Sequence, residues 1–213
     1  ISIKPTHLGL DMGLQCAQDN ILSLLKAAEK TDNFLRIDME NSAVTDDTIR
    51  LYHKCRENYS DVGTVLQAYL YRSENDLKKL SQDSNFNFRL CKGIYRENAN
   101  IAIQDRHKIN ANFIGLLSYA FKNNIYVCIA THDLYLLETA YELITRFNIP
   151  SDRFEFQVLY GVPMSGWLQK HLQNGYKVRV YVPFGDDWHD YSMRRLKENP
   201  NIARYVLKNM FRR

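Results

Sequence analysis

Short runs rich in β-branched and aromatic residues alternate along the chain with longer stretches whose apolar positions recur every three or four residues. The short runs are Ile1–Lys4, Phe34–Met39, Gly63–Tyr69, Phe88–Lys92, Ile125–Ala130, Phe154–Leu159 and Lys177–Tyr181. Their length and composition predict strands. Between them, Leu14 to Ala28 is apolar at Leu14, Ala17, Ile21, Leu24, Leu25 and Ala28, which is one face of a helix. Thr45 to Asn58 opens on the capping cluster Thr45, Asp46 and Asp47 and carries Ile49, Tyr52 and Cys55 on one side. Helices are expected as well over Glu74–Leu80, Asn100–Asn123, Leu134–Phe147 and Ser165–Gln173. A last helix is expected after the turn at Gly185, stopped at Asn199 by Pro200.

Strand–helix alternation predicts a parallel sheet covered by helices. A doubly wound sheet and a barrel both satisfy the pattern, but open sheets gather their working groups at one crevice and barrels at many strand ends. Here nearly every strand ends in a polar group. Lys4 closes the first, Asp38 the second, and Gln67 and Tyr69 the third. Arg89, Lys92 and Gly93 mark the fourth, Thr131, His132 and Asp133 follow the fifth, Gln157 and Tyr160 end the sixth, and Tyr181 the seventh. Groups so distributed converge only if the sheet closes. Because the chain opens directly on the strand ISIK, the expectation is an α/β (βα)8 TIM-type barrel that lacks its first strand and N-terminal helices. Residues 1–213 would then be one domain of seven βα units.

Composition narrows the chemistry. A chain of 213 residues can bury a sizeable core. Its 28 Lys and Arg against 24 Asp and Glu leave a net charge of +4 with no long basic run, which does not fit a nucleic-acid binder. The four cysteines, Cys16, Cys55, Cys91 and Cys128, are widely spaced with no CxxC, so neither a zinc site nor a disulfide framework is indicated. Cys91 and Cys128 fall in strand runs and are expected as buried packing thiols in a reduced, cytoplasmic setting. No apolar run reaches membrane-spanning length.

Most of the strand-end groups also have an ordinary structural explanation. Lys4 suits a surface strand end, Asp38 could cap the following turn, and Thr131 and Asp133 could cap the helix from Leu134. His132 alone is a satisfied polar residue more often than a ligand. Arg89 is different, because an arginine inside the apolar run FRLCKG must find an anion. Lys92 and Gly93 add a cation beside a residue that lets backbone approach a ligand closely. Together these suggest a phosphate-bearing cofactor across strands four to six, although neither GxGxxG nor a P-loop is present. In the last helix, Tyr191, Arg194, Arg195 and Glu198 share one face, either as a solvated salt-bridge stripe or as a cradle for a carboxylate. A metal-dependent barrel hydrolase or lyase built on Asp38, His132 and Asp133 is an alternative, and a non-catalytic degenerate barrel is another.

In order and spacing, the segments SIKPTHLGLD, LRIDME, LQAY, RLCKGIY, ATHD, FEFQVLYG and VPFGDDWHDYSMRRLKEN resemble the motifs of the proline dehydrogenase family. The resemblance runs from Ile1 to about Pro200, and the short form LQxLYG without a following GxGE-like run is similar to free-standing bacterial members. It implies FAD held non-covalently at the C-terminal ends of the barrel strands, with the last helix over the barrel mouth. It implies oxidation of L-proline to Δ1-pyrroline-5-carboxylate by hydride transfer to FAD, the first step of proline catabolism to glutamate. By carry-over, Lys4, Arg194 and Arg195 bind the proline carboxylate, Asp38 orients Lys4, Tyr181 and Tyr191 line the ring, and Tyr95 and Leu159 pack nearby. Gln67, Arg89, Lys92, Gly93, Thr131, His132, Gln157 and Glu198 match flavin positions. Two residues depart from the pattern, Ile94 where many relatives carry Ala and Arg96 where some carry Trp. A membrane quinone as electron acceptor, reached by peripheral contact at the inner membrane face, is also implied, and nucleic acid is not.

Overall fold

A computed structural model describes residues 1–183 and 185, and the helix expected to carry Tyr191, Arg194, Arg195 and Glu198 lies outside the described residues. The chain divides between Phe154 and Glu155 into two compact units.

In the first unit, strands β1 (Ser2–Ile3), β2 (Leu35–Ile37), β3 (Val62–Gln67), β4 (Asn87–Cys91) and β5 (Tyr126–Ala130) alternate with helices α1 (Leu14–Lys30), α2 (Thr45–Arg56), α3 (Ser73–Leu80), α4 (Arg106–Lys122) and α5 (Leu134–Arg146). Each strand pairs in parallel with the next, β1 with β2, β2 with β3, β3 with β4 and β4 with β5. This is the α/β class that the alternation predicts. The helices form because each has one apolar stripe to bury. Ala17, Ile21, Leu25 and Ala28 do so in α1, and Leu136, Leu137, Ala140, Leu143 and Ile144 in α5. They cover one face of the sheet, where Phe88, Leu90, Val127 and Ile129 are fully buried. The other face carries the polar residues, because successive side chains of a strand point to opposite sides. In β4, Phe88 and Leu90 are buried while Asn87, Arg89 and Cys91 alternate with them and remain half-buried.

The turns that lead back into strands share a device. Asp32, Asn85, Asn124 and Asn148 follow α1, α3, α4 and α5 with φ of 52°, 57°, 54° and 49°. Asp and Asn tolerate this left-handed conformation better than other residues with a Cβ, so each helix is terminated within a few residues. At the opposite end of the strands, where the polar groups lie, the connections after β1 and β4 are long, residues 4–13 and 92–105, whereas β5 leads into α5 through residues 131–133 alone.

Two expected boundaries are corrected. Helix α4 starts at Arg106 and not at Asn100, because the Asp105 side chain caps it by accepting the Lys108 N–H at 2.8 Å. Ile101 and Ala102 look helix-periodic in sequence but close a turn, each donating its N–H to Asn98 C=O at 2.9 Å, beside the residues that follow β3. Ile103 N–H donates to Tyr69 C=O at 2.7 Å, Tyr71 N–H to Ile101 C=O at 3.2 Å, and Leu70 pairs antiparallel with Ala102. Thr45 does not cap α2. A 3-10 turn, Ser42–Val44, precedes it, and the Asn41 side chain caps that turn by accepting the Ala43 N–H at 3.1 Å.

Strand β6 (Phe154–Leu159), all but its first residue in the second unit, pairs in parallel with β7 (Val178–Tyr181) from Phe156 opposite Val178 to Leu159 opposite Tyr181. Helix α6 (Trp167–Gln173) lies between them in sequence and begins after Gly166, two residues later than expected. Its His171 is fully buried and stacks on the Phe156 ring, with centroids 3.8 Å apart and planes 15° apart.

Candidate active site

The polar face of the first unit is built in two tiers, each centred on an arginine. In the lower tier, Arg36 of β2 is only 4% exposed. Its Nη1 donates to Thr64 C=O at 2.9 Å and to Asn87 C=O at 3.1 Å, and its Nη2 to Asn87 Oδ1 at 2.6 Å and Cys128 Sγ at 3.2 Å. Gly63 makes room for this guanidinium, since a Cβ there would stand 2.4 Å from Arg36 Nη1 and 2.6 Å from Asn87 O. Sequence reasoning missed Arg36, although the signal used for Arg89, an arginine inside an apolar strand run, is equally present in LRIDM. It also took Cys128 for a packing thiol only, whereas the sulfur accepts a hydrogen bond from this guanidinium.

The upper tier lies one strand step toward the C-terminal ends. Arg89 Nη1 donates to Asp38 Oδ1 at 2.5 Å and Nη2 to Ser2 Oγ at 2.9 Å. Lys4 Nζ stands 4.0 Å from Asp38 Oδ2. Arg89 thus has the anion that its burial demanded, and Asp38 faces two cations at once. One carboxylate between an ammonium and a guanidinium leaves a net positive array at the strand ends, attractive to a carboxylate in a partly dehydrated setting.

Beside it, Gln67 at the end of β3 is 3% exposed. Its Nε2 reaches Met39 C=O at 3.4 Å, and among the described residues its buried Oε1 has no hydrogen-bond partner. At the ends of β4 and β5, Lys92 Nζ bonds Asp133 Oδ2, which Arg106 Nη2 also reaches at 3.2 Å. Burial alone would raise the Asp133 carboxyl, but these two cations outweigh it and hold the group at about 2. Asp133 Oδ1 caps α5 by accepting the Tyr135 N–H, and Thr131 Oγ1 accepts the Asp133 N–H, both at 3.1 Å. The capping role considered for both residues therefore falls to Asp133, and Thr131 holds the Asp133 N–H instead. Burial keeps the His132 imidazole below its ordinary pKa and hence neutral at pH 7, and pushes the Cys91 thiol up to about 11. Gly93 has φ of +102°, and the atom that a Cβ would strike is the Tyr69 ring, 2.1 Å away. The Tyr69 ring therefore lies close against the Gly93 backbone. Tyr95 is half-buried in the same loop.

In the second unit, Gln157 Nε2 donates to Glu155 Oε1 at 2.6 Å, and Arg179 grips the same carboxylate through Nε at 2.7 Å and Nη2 at 3.0 Å. Glu155, 1% exposed, is a second buried ionic residue that sequence reasoning passed over. Leu159 and Tyr181 sit opposite one another at the ends of β6 and β7.

The donor sets can be tested against the groups they might hold. Asp38 and Asp133 are each engaged by two cations, and among the described residues no three His, Cys, Asp or Glu side chains converge as metal ligands. The metal-dependent reading thereby loses its carboxylates. A flavin nucleotide fits better. The orphaned Gln67 oxygen is a buried acceptor awaiting an N–H, and the Lys92–Arg106 pair, two cations at one carboxylate, is suited to phosphate.

Comparison with known proteins shows the family and the fold. The sequence model of the family described as proline dehydrogenase matches residues 1–207. Proline dehydrogenase 1 of Bacillus subtilis subsp. natto is 37% identical over 214 residues, covering 100% of this chain and 70% of that protein. Proline dehydrogenase 2 of Bacillus subtilis strain 168 is 37% identical over 210 residues, covering 99% and 69%. Among solved structures, proline utilization A (PutA) from Bdellovibrio bacteriovorus, inactivated by N-propargylglycine, superposes with a TM-score of 0.83 at 26% identity over 93% of this chain. The chain spans 24% of that much longer protein. With its strand-end motifs placed as described and matched over their whole length, the chain belongs to the proline dehydrogenase family.

Proposed function

We propose that the chain oxidises L-proline to Δ1-pyrroline-5-carboxylate with FAD as its cofactor, the first step of proline catabolism. The observation that carries this reading is the Lys4–Asp38–Arg89 array beside the unpaired Gln67 oxygen, at the C-terminal ends of adjacent parallel strands in a chain of this family. The strands would close as a (βα)8 barrel, with the helix of Tyr191, Arg194, Arg195 and Glu198 over its mouth. A membrane quinone would re-oxidise the cofactor through peripheral contact from the cytoplasm, and no helix among the described residues is long and apolar enough to cross a membrane.

The residues divide the work as follows. Lys4, Arg194 and Arg195 hold the proline carboxylate by charge-assisted hydrogen bonds. Tyr95, Leu159, Tyr181 and Tyr191 enclose the ring and exclude water. Gln67, Arg89, Lys92, Gly93, Thr131, His132, Gln157 and Glu198 hold the flavin. Proline loses a hydride from ring C5 and a proton from nitrogen, and a C=N bond forms. Bound FAD supplies the two-electron acceptor for that hydride. Positive charge develops on nitrogen as the hydride leaves, and a surrounding excess of cations would oppose it. Asp38, between Lys4 and Arg89, offsets part of that excess. Fixing the substrate by its carboxylate turns an encounter into a near-attack geometry, an effect worth up to roughly 7–11 kcal/mol in well-oriented systems.

The test is an absorption spectrum of the full-length protein with and without L-proline. Flavin bands that bleach with proline, and far less with pyrrolidine, which lacks the carboxylate, are expected. A protein that binds no FAD, or whose flavin is untouched by proline, would overturn the reading. Arg194→Ala and Arg195→Ala should raise KM for proline while flavin content stays intact, and Arg89→Ala should lower flavin retention.

A further inference from the structure

The loops after β1, β2 and β4 contain the same contact built twice. Glu40, 6% exposed, accepts the Thr6 N–H at 2.9 Å through Oε2 and the Thr6 hydroxyl at 2.7 Å through Oε1. Glu97 accepts the Ser42 N–H through Oε1 and the Ser42 hydroxyl through Oε2, both at 2.6 Å. In each case one carboxylate takes both donors of a single hydroxyl residue. In each case that residue opens a 3-10 turn, Thr6–Leu8 or Ser42–Val44. Unpaired N–H groups at such a start attract negative charge, so both contacts are charge-assisted and favourably placed.

The two contacts are linked in series. Only Asn41 separates Glu40 from Ser42. The loop after β4 is thereby tied to the loop after β2, and that loop to the one after β1. The spacing to the candidate site is the same throughout. Thr6 lies two residues beyond Lys4, Glu40 two beyond Asp38, and Glu97 two beyond Tyr95. Neither glutamate is among the residues that make the Lys4–Asp38–Arg89 array, so neither contact is needed to pair those charges.

We infer that Glu40 and Glu97 are positioning residues, whose paired contacts to Thr6 and Ser42 fix Lys4, Asp38 and Tyr95 relative to one another for substrate binding. The inference rests on the proline-oxidising reading above. Two residues of intervening backbone transmit little play, and displacements on the order of 1 Å at a reacting centre can cost up to about a hundredfold in rate.

The experiment uses the full-length protein loaded with FAD, with the variants Glu97→Gln, Ser42→Ala and Thr6→Val. Each should lower kcat/KM for proline by about tenfold with flavin content unchanged. The double variant Glu97→Gln with Ser42→Ala should be no worse than Glu97→Gln alone, since both break one contact. Ser42→Thr, which keeps both donors, should restore the wild-type value. Amide hydrogen exchange over residues 93–98 should quicken in Ser42→Ala, a readout independent of turnover. Leu143→Ala, a buried change in α5 remote in sequence from these loops, should lower stability and leave kcat/KM unchanged. If wild-type flavin is not reduced by proline, the functional reading fails and takes this inference with it. If wild type is reduced while Ser42→Ala and Glu97→Gln keep wild-type kcat/KM and exchange, the positioning role alone is overturned. Should Glu97→Gln not accumulate as folded protein, Ser42→Ala decides.

Discussion

Arg89 donates to Asp38 at 2.5 Å although their strands are not neighbours, since β3 lies between β2 and β4. Strands two apart are separated by roughly 9–10 Å, a gap that a long arginine can bridge and a lysine fills less well. Both side chains are largely buried, at 11% and 8% exposure, so removing Asp38 takes the shared anion from two cations, whereas removing Arg89 leaves Asp38 with Lys4 at 4.0 Å. Asp38→Ala is expected to cost about 3–5 kcal/mol of stability and Arg89→Ala less, and the double variant clearly less than their sum. Urea unfolding of the three proteins measures this, and strict additivity would show that the pair does not interact in solution.

Gly93 and Gly161 separate two ways in which a glycine can be required. Both have positive φ, +102° and +79°, but a Cβ at Gly93 would meet the Tyr69 ring while one at Gly161 would meet nothing within 4 Å. Gly161→Ala should therefore lose only the backbone strain, about 1 kcal/mol, whereas Gly93→Ala should lose about 2–4 kcal/mol and displace the loop that carries Tyr95. Thermal melts of the two variants give the comparison, and equal losses would mean that the Tyr69 contact is unimportant.

His171 predicts an acid sensitivity of the second unit. Burial first, and the Lys170 ammonium second, lower its pKa from 6.5 to about 4. Above about pH 6.5 the imidazole is neutral in both folded and unfolded chains and adds no slope. Between about 6.5 and 4 the unfolded chain binds a proton that the folded unit refuses, so stability falls as pH falls, and the effect levels off below about 4. His171→Phe, which keeps a ring to stack on Phe156, should flatten that part of the pH–stability curve. An unchanged slope would show that the imidazole titrates equally in both states.

Much of this molecule was legible from local pattern. The seven strand runs and the apolar stripes of α1, α2 and α5 are short-range signals set by the two periodicities of regular backbone, and they place Lys4, Asp38 and Thr131 at strand ends and Arg89 within β4 without further information. Arg89 could be read further, because a buried guanidinium obliges an anion. What sequence could not supply was the partner's identity across distant segments. Glu40 finds Thr6 at a separation of 34 residues, and Glu97 finds Ser42 at 55, with no periodicity to announce either. The start of α4 was misplaced because Ile101 and Ala102 have helical spacing, while their N–H groups close a turn on Asn98 and Ile101 C=O accepts the Tyr71 N–H beyond β3. Gly93 was singled out as a place of close approach, and coordinates add that the Tyr69 ring lies where its Cβ would stand. The face of Arg194 and Arg195 stands as a sequence reading alone.

The Thr6–Glu40 and Ser42–Glu97 contacts also bear on what can be recombined between relatives. A segment transplanted from 93 to 98 would bring its own acid to a recipient whose residue 42 must offer both an amide and a hydroxyl, and the same holds for 40 and 6. Chimaeras cut anywhere between Thr6 and Glu97 sever this series unless both donor residues travel with their acceptors, whereas crossovers placed beyond Glu97, for instance in α5, leave it whole. Libraries aimed at new cyclic amines would accordingly do best to vary the three loops as one inherited block.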